Sequence, residues 1–133
     1  MTSNGSILLV DDDTFTLNAL ERLLSRELVA ITVSDGAAAL ALMKEEHFAV
    51  VVTDLIMPGM SGFEFLSHLE TEYPETVCIV LSGRIEDSFL TRMPKNVFRS
   101  LDKPCSIDDL VDAIDGAFAE YVLGLSCGTA QSV

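Results

Sequence analysis

The sequence predicts a doubly wound α/β domain, a (βα)5 unit with a five-stranded parallel sheet in the order 2-1-3-4-5. Three observations carry that prediction. Short apolar runs such as Ile7-Leu8-Leu9-Val10 and Phe48-Ala49-Val50-Val51-Val52 suit strands buried on both faces. Segments with apolar residues at helical spacing lie between these runs, and regular alternation of strand and helix implies parallel pairing with helices on both sides. Charged groups stand where the runs end, at Asp11-Asp12-Asp13, Asp54 and Lys103. In an open parallel sheet the C-terminal strand ends share one crevice, so residues far apart in the chain can meet there.

Taken in order, the first strand covers 7–10. A helix follows from 14, with Asp12 or Asp13 as N-cap and Leu17, Leu20, Leu24 and Leu28 at helical spacing. Residues 28–33 read as the second strand, and the Ala-rich 37–46 as a helix with Leu40 and Met43 inward. The third strand is 48–53. After the Pro58-Gly59 turn, 62–73 is helical with Phe65, Leu66 and Leu69 on one side and Pro74 as the stop. Residues 77–81 form the fourth strand, 85–93 a short helix limited by Pro94, and 97–101 the fifth strand. The last helix opens at the Ser106-Ile107-Asp108-Asp109 cap and turns Ile107, Leu110, Val111, Ile114 and Phe118 inward. The domain therefore spans 1–122, with 123–133 as a tail or the start of a linker.

A chain of 133 residues makes one domain large enough for a real core. Its 21 acids against 8 bases, a formal charge of −13, argue against nucleic acid or an anionic membrane as a direct partner. Arg84, Arg92, Lys95, Arg99 and Lys103 make one stretch locally basic, which reads as a docking bias or as a solvated face. Cys78, Cys105 and Cys127 are odd in number and form no CxxC, so neither a disulfide framework nor a zinc cluster is indicated. Cys78, inside an apolar run, reads as a small buried hydrophobe. The polar stretch 1–6 leads straight into a strand, so no signal peptide is read, and no apolar stretch approaches membrane-spanning length. The expectation is a cytoplasmic protein.

The switch point of the 2-1-3-4-5 order lies between the first and third strands. Asp11, Asp12 and Asp54 flank it, with Ser82 and Lys103 on the far side. Two carboxylates about 5 Å apart repel by about 3 kcal/mol at an effective dielectric near 20, so three in one crevice need a cation. A small oxygen-seeking ion such as Mg2+, holding one or two carboxylates and a phosphate, meets that need. Lys103 adds a fixed positive charge for Asp54 or a phosphoryl oxygen, and Ser82 supplies a hydroxyl donor. Each residue alone has a plainer reading. Asp13 reads as a helix cap, Asp54 could start a turn, Lys103-Pro104 could lie on the surface, and His47 and His68 read as surface residues. Their joint occurrence favours a site.

Asp11-Asp12, then Asp54-Leu55-Ile56-Met57-Pro58-Gly59-Met60-Ser61-Gly62, then Ser82-Gly83 and Lys103-Pro104 resemble the receiver domain of two-component response regulators, chemotaxis-regulator-like and flavodoxin-like in fold. The resemblance covers 6–121, and its D-x-x-M-P-G-x-x-G signature is specific. It implies that Asp54 takes a phosphoryl group from a phosphohistidine on a partner histidine kinase or histidine phosphotransfer domain, within a phosphorelay. It implies Mg2+, with Mn2+ as a substitute, held by Asp12, Asp54 and the Ile56 backbone carbonyl, with Asp11 acting through water. Ser82 and Lys103 would contact the phosphoryl oxygens.

The output would be a shift of a face containing Phe89, Leu90, Phe98 and Ser100, passed to an effector domain or protein, or a dimer formed on phosphorylation. Such a domain is not an enzyme in the ordinary sense: it catalyses only its own phosphorylation and dephosphorylation. Ile56 and Arg84 stand where the family flanks the phosphoryl group, and neither orients water as an acid or amide would, which implies slow self-hydrolysis. The chain would be a stand-alone receiver or part of a longer regulator.

Two departures bear on the output. The family usually places Tyr or Phe three residues before the lysine, and here that residue is Ser100; Phe98, two residues earlier, would share its strand face by the two-residue repeat and stand in for it. The usual small Gly-Ala pair before the fifth strand is replaced by Pro94-Lys95-Asn96. These leave a pseudo-receiver, an interaction module with impaired switching, as the alternative. A haloacid-dehalogenase-like phosphohydrolase would use the D-x-D within Asp11-Asp12-Asp13, Ser82, Lys103 and Asp108-Asp109. It fits poorly: Phe15 stands where Thr or Val belongs, Asp108-Asp109 opens a helix, and Asp54 would have no role.

Overall fold

Alternate residues of the inner strands divide the core between the two faces of one sheet. The computed structural model describes residues 6–13, 18, 21–22, 29–55, 59–82, 94–102 and 106–127. Five strands, β1 (Ser6–Val10), β2 (Val29–Val33), β3 (Val50–Thr53), β4 (Val77–Ser82) and β5 (Val97–Asp102), are all parallel in the order β2-β1-β3-β4-β5. The described helices are α1 (Gly36–Met43), α2 (Gly62–Glu72) and α3 (Ile107–Cys127). The expected doubly wound architecture and strand order are therefore observed. Asn18, Glu21 and Arg22 are helical, as predicted, while the rest of the 14–28 helix and the whole of 85–93 lie outside the described residues.

On one face Ile7, Leu9, Val50, Val52, Ile79 and Leu81 pack against Leu110, Ala113, Ile114, Ala117 and Tyr121 of α3. On the other, Leu8, Val10, Val51, Cys78 and Val80 pack against Ala39 and Met43 of α1 and Phe65, Leu66 and Leu69 of α2. The central strand β3 is buried at every position. That two-sided burial is why its sequence is a continuous apolar run and not an alternating one. Burial also pushes the Cys78 thiol pKa up, leaving it inert as a nucleophile.

Helix starts follow their caps. Asp35 Oδ1 accepts from the Ala38 N–H at 2.7 Å to open α1. Ser61 and Glu64 form a reciprocal capping box at α2, and Ser106 Oγ accepts from the Asp109 N–H at 3.0 Å at α3. Helix ends depart more. Residues 44–46, expected in α1, form a turn whose Glu45 and Glu46 N–H groups both return to the Leu42 carbonyl. The last helix continues to Cys127, into the stretch 123–133 read as a tail. Val111, expected inward, is 36% exposed; Ala113, Ala117 and Tyr121 complete the buried stripe of Leu110 and Ile114. A helix advances 100° per residue, so Val111 falls off the edge of a stripe centred on those positions.

The edge strand β5 breaks the two-residue repeat. Cys78 pairs with Val97, but the next residue of β4, Ile79, pairs with Arg99. Phe98 is the extra residue of a β-bulge, which changes the facing of the residues after it relative to those before.

Two expectations follow. Phe65→Ala should lower the unfolding free energy by about 3–5 kcal/mol in urea titrations, whereas Val111→Ala should stay within about 0.5 kcal/mol of the parent. Tyr121 is buried, with its hydroxyl 2.5 Å from His47 Nε2. Burial, and then the charge of Glu75, raises its pKa above the usual 10.0. A phenol with a raised folded-state pKa contributes stability that is fully present below about pH 10 and lost as pH climbs through the raised value. The urea midpoint should therefore fall as the pH rises past about 10, and fall less in Tyr121→Phe.

Candidate functional site

The strand ends build the site through backbone bonds that reach one residue past the ladder. Asp11 follows β1, and its N–H donates to the Val33 carbonyl of β2 at 3.2 Å. Asp54 follows β3, and its N–H donates to the Val10 carbonyl of β1 at 3.0 Å. Both acids are thus fixed beside β1 at the switch point. Their side chains are nearly buried, 4% exposed for Asp11 and 7% for Asp54, while Asp12 is exposed. One carboxylate oxygen from each of Asp11, Asp12 and Asp54 lies within 4.8 Å of the others. Asp13 contributes its backbone: its N–H donates to Asp11 Oδ1 at 3.0 Å and helps aim that carboxylate.

Three carboxylates this close repel by about 3 kcal/mol per pair at an effective dielectric near 20, so the cluster favours a cation. An all-oxygen donor set with these separations fits a small hard ion that keeps several waters. A cavity of about 10 Å³, room for about one water, is lined by Asp11, Thr53 and Asp54 together with Leu9, Val10, Val52 and Leu81.

The loop after Asp54 explains two glycines. Gly59 has φ of 78°, in the left-handed region that favours glycine. Gly62 opens α2 pressed against the backbone behind the acid: a Cβ there would stand 2.4 Å from Leu55 Cα and 2.6 Å from the Asp54 carbonyl oxygen. The Gly62 N–H donates to the Leu55 carbonyl at 2.8 Å, closing the loop. Thr53 Oγ1 donates to the Asp54 carbonyl at 3.0 Å.

Of the residues predicted for the site, Asp11, Asp12 and Asp54 are brought together. Ser82 ends β4 in register with Asp102, and its side chain is outside the described set, as are Ile56, Lys103, Phe89 and Leu90. Phe98 does not share a face with Ser100, contrary to expectation. Ser100 is in register with Val80, whose side chain faces α1 and α2, whereas the Phe98 ring lies over Gly116 of α3. A Cβ on Gly116 would meet Phe98 Cε2 at 2.9 Å. The bulge is the cause, and Arg99, with Nη1 3.8 Å from Asp112 Oδ2 on α3, turns the same way. Sequence reasoning missed Thr53 and gave Gly62 no physical reason. The only signal for Thr53 was a hydroxyl closing the apolar run Val50-Val51-Val52.

The acid cluster stands at the switch point of a 2-1-3-4-5 sheet, where doubly wound α/β domains take their ligands. The chain belongs to the response regulator receiver domain family, whose model matches residues 7–115. It is 35% identical over 112 residues to the hydrogenase transcriptional regulatory protein HoxA of Cupriavidus necator, covering 83% of this chain and 23% of that protein. It is 29% identical over 119 residues to the DNA-binding transcriptional regulator NtrC of Escherichia coli, covering 88% of this chain and 25% of NtrC. The chain thus spans about a quarter of these relatives. Among solved structures it resembles a response regulator receiver domain from Clostridium thermocellum, with TM-score 0.82, 29% identity, and coverage of 90% of this chain and 98% of that one. A structure described as adenylate cyclase from Rhodopirellula baltica superposes with TM-score 0.85 at 36% identity, over 97% and 98% of the two chains.

The glycine contacts make a graded prediction. Gly62→Ala should lower the urea unfolding free energy by about 1–3 kcal/mol or more, because backbone has to move to admit the methyl. Gly59→Ala, with open space around its Cβ, should cost only the conformational penalty of about 1–2 kcal/mol.

Proposed function

We propose that this chain is a phosphoacceptor in two-component signalling, taking a phosphoryl group onto Asp54. The observation that carries the reading is the gathering of Asp54 with Asp11 and Asp12, carboxylate oxygens within 4.8 Å, in a member of the receiver family. In the reaction an Asp54 carboxylate oxygen attacks the phosphorus of a phosphohistidine. The P–N bond breaks, the imidazole leaves and regains a proton, and Asp54 becomes an acyl phosphate. Near-burial of Asp54 limits water around the reacting oxygen.

Asp11, Asp12 and Asp54 would hold Mg2+, with Mn2+ as a substitute, and the ion when bound supplies charge neutralisation for the incoming phosphoryl oxygens. Ile56, through its carbonyl, would complete the ligand set, and Ser82 and Lys103 would contact the phosphoryl group. The donor is a histidine kinase or a histidine phosphotransfer domain. A sensor kinase, CckA of Brucella abortus, is itself 30% identical to this chain over 118 residues, so the module occurs in kinase and regulator contexts alike. The recipient of the signal is an effector domain or protein, or a second copy joined on phosphorylation. The site of action is the cytoplasm; no helix among the described residues is long and apolar enough to cross a membrane. Release of the phosphoryl group is slow, since neither Ile56 nor Arg84 orients water as an acid or amide would.

A second reading draws on the facing of Phe98. With Ser100 on the α1/α2 face and Phe98 seated on Gly116, the chain lacks an aromatic in the usual reporting position. A pseudo-receiver that binds partners without switching is the alternative consistent with that.

Acetyl phosphate with Mg2+ separates the two. The parent should gain the mass of one phosphoryl group, and Asp54→Asn, or omission of Mg2+, should abolish the gain. An unchanged parent mass would favour the pseudo-receiver.

A further inference from the structure

Thr53 is the last residue of β3 and is fully buried. It is in register with Val10 and Val80, both part of the core on the α1/α2 face, so its side chain points into that apolar core. A valine would fill the same space with no polar atom to satisfy. The hydroxyl instead donates to the Asp54 carbonyl, one residue on, at 3.0 Å. Asp54 is therefore tied at both ends of its backbone: its N–H to the Val10 carbonyl and its C=O to Thr53. Gly62 also packs close to the same carbonyl oxygen, which a Cβ there would meet at 2.6 Å. The carboxylate departs from the same Cα as this peptide, so holding the peptide on both sides restrains the Cα from which the carboxylate reaches toward Asp11 and Asp12. Thr53 also lines the small cavity shared with Asp11 and Asp54.

We propose that Thr53 is a positioning residue for Asp54, its hydroxyl holding the peptide after the strand so that the Asp54 carboxylate stays in register with Asp11 and Asp12. The proposal rests on reading Asp54 as phosphoacceptor and cation ligand. The two halves of the threonine side chain are separable. Thr53→Val keeps the volume and drops the hydroxyl; Thr53→Ser keeps the hydroxyl and drops a buried methyl. Function and stability should therefore part company in opposite directions.

The full chain and each variant are titrated with MgCl2 by calorimetry, timed for phosphoryl mass gain with acetyl phosphate at saturating Mg2+, and unfolded in urea. Thr53→Val should bind Mg2+ about tenfold more weakly and react about tenfold more slowly, the loss typical of removing a group that orients a metal ligand, while Thr53→Ser stays within about twofold of the parent. The serine variant should do so despite a lowered urea midpoint. Parent-like affinity and rate in Thr53→Val would overturn the proposal, as would losses that follow the urea midpoint in both variants. If Thr53→Val does not fold, Thr53→Ala against Thr53→Ser makes the same comparison, because those two differ only in the hydroxyl. A parent that gains no phosphoryl mass sinks the acceptor reading on its own, and the Mg2+ titration still decides the role of Thr53. A parent that binds no Mg2+ overturns both.

Discussion

Two backbone hydrogen bonds at the carboxyl end of β1 hold the rest of the site in place. Asp11 donates outward to Val33 of β2, and Val10 accepts inward from Asp54 after β3. Strand β1 stands at the switch point of the sheet order, beside which doubly wound sheets leave a crevice at their C-terminal ends. Parallel pairing makes this end common to all strands, and the register Val10↔Thr53 brings Asp11 and Asp54 level. The cost is three carboxylates within 4.8 Å, two of them nearly buried. A core packed on both faces of the sheet absorbs that cost: large apolar burial stabilises an arrangement that charge repulsion alone would open.

The loop from Asp54 to α2 is held by a different principle, close backbone approach. Gly62 lets the helix start against Leu55 and the Asp54 carbonyl, and Ser61 with Glu64 closes the capping box at the same point. Helix α2 then packs Phe65, Leu66 and Leu69 into the core. The acid's peptide is consequently fixed from three directions: ladder, threonine hydroxyl and glycine contact. A ligand aimed by a rigid backbone needs little reorganisation when a cation or phosphoryl group arrives.

The strands, the Ser106 cap of the last helix and the candidates Asp11, Asp12 and Asp54 were legible from local pattern, as apolar runs, a cap ahead of a helix and acids at run ends, and the strand order from the doubly wound class these imply. What was not legible depends on pairing. The bulge at Phe98 is a mismatch between β5 and β4, and nothing within Val97-Phe98-Arg99-Ser100 announces it. Val111 looked inward because it is apolar, yet its angle on α3 places it beside the buried stripe. The helix carries on past 122 through Val122, Leu123 and Gly124, since no proline intervenes before Cys127 and Gly124 stays helical instead of capping it. Thr53 escaped notice because a β-branched residue at a strand end needs no further reason until its hydroxyl bond is seen.

The facing of Phe98 constrains how a charge at Asp54 could be read elsewhere on the sheet. A phosphoryl group adds close to two negative charges, and a surface has to respond to them. On the α1/α2 face of β5 the residue in register with Val80 is Ser100, which has no ring to rotate. The aromatic at 98 is seated over Gly116, and its neighbour Arg99 reaches Asp112 one turn earlier on α3. Both contacts tie β5 to α3 on the side away from Ser100. Any displacement of β5 would therefore disturb its contacts with α3 at Gly116 and Asp112. The aromatic of β5 is thus seated against a glycine of the final helix, the helix that continues past Val122 to Cys127.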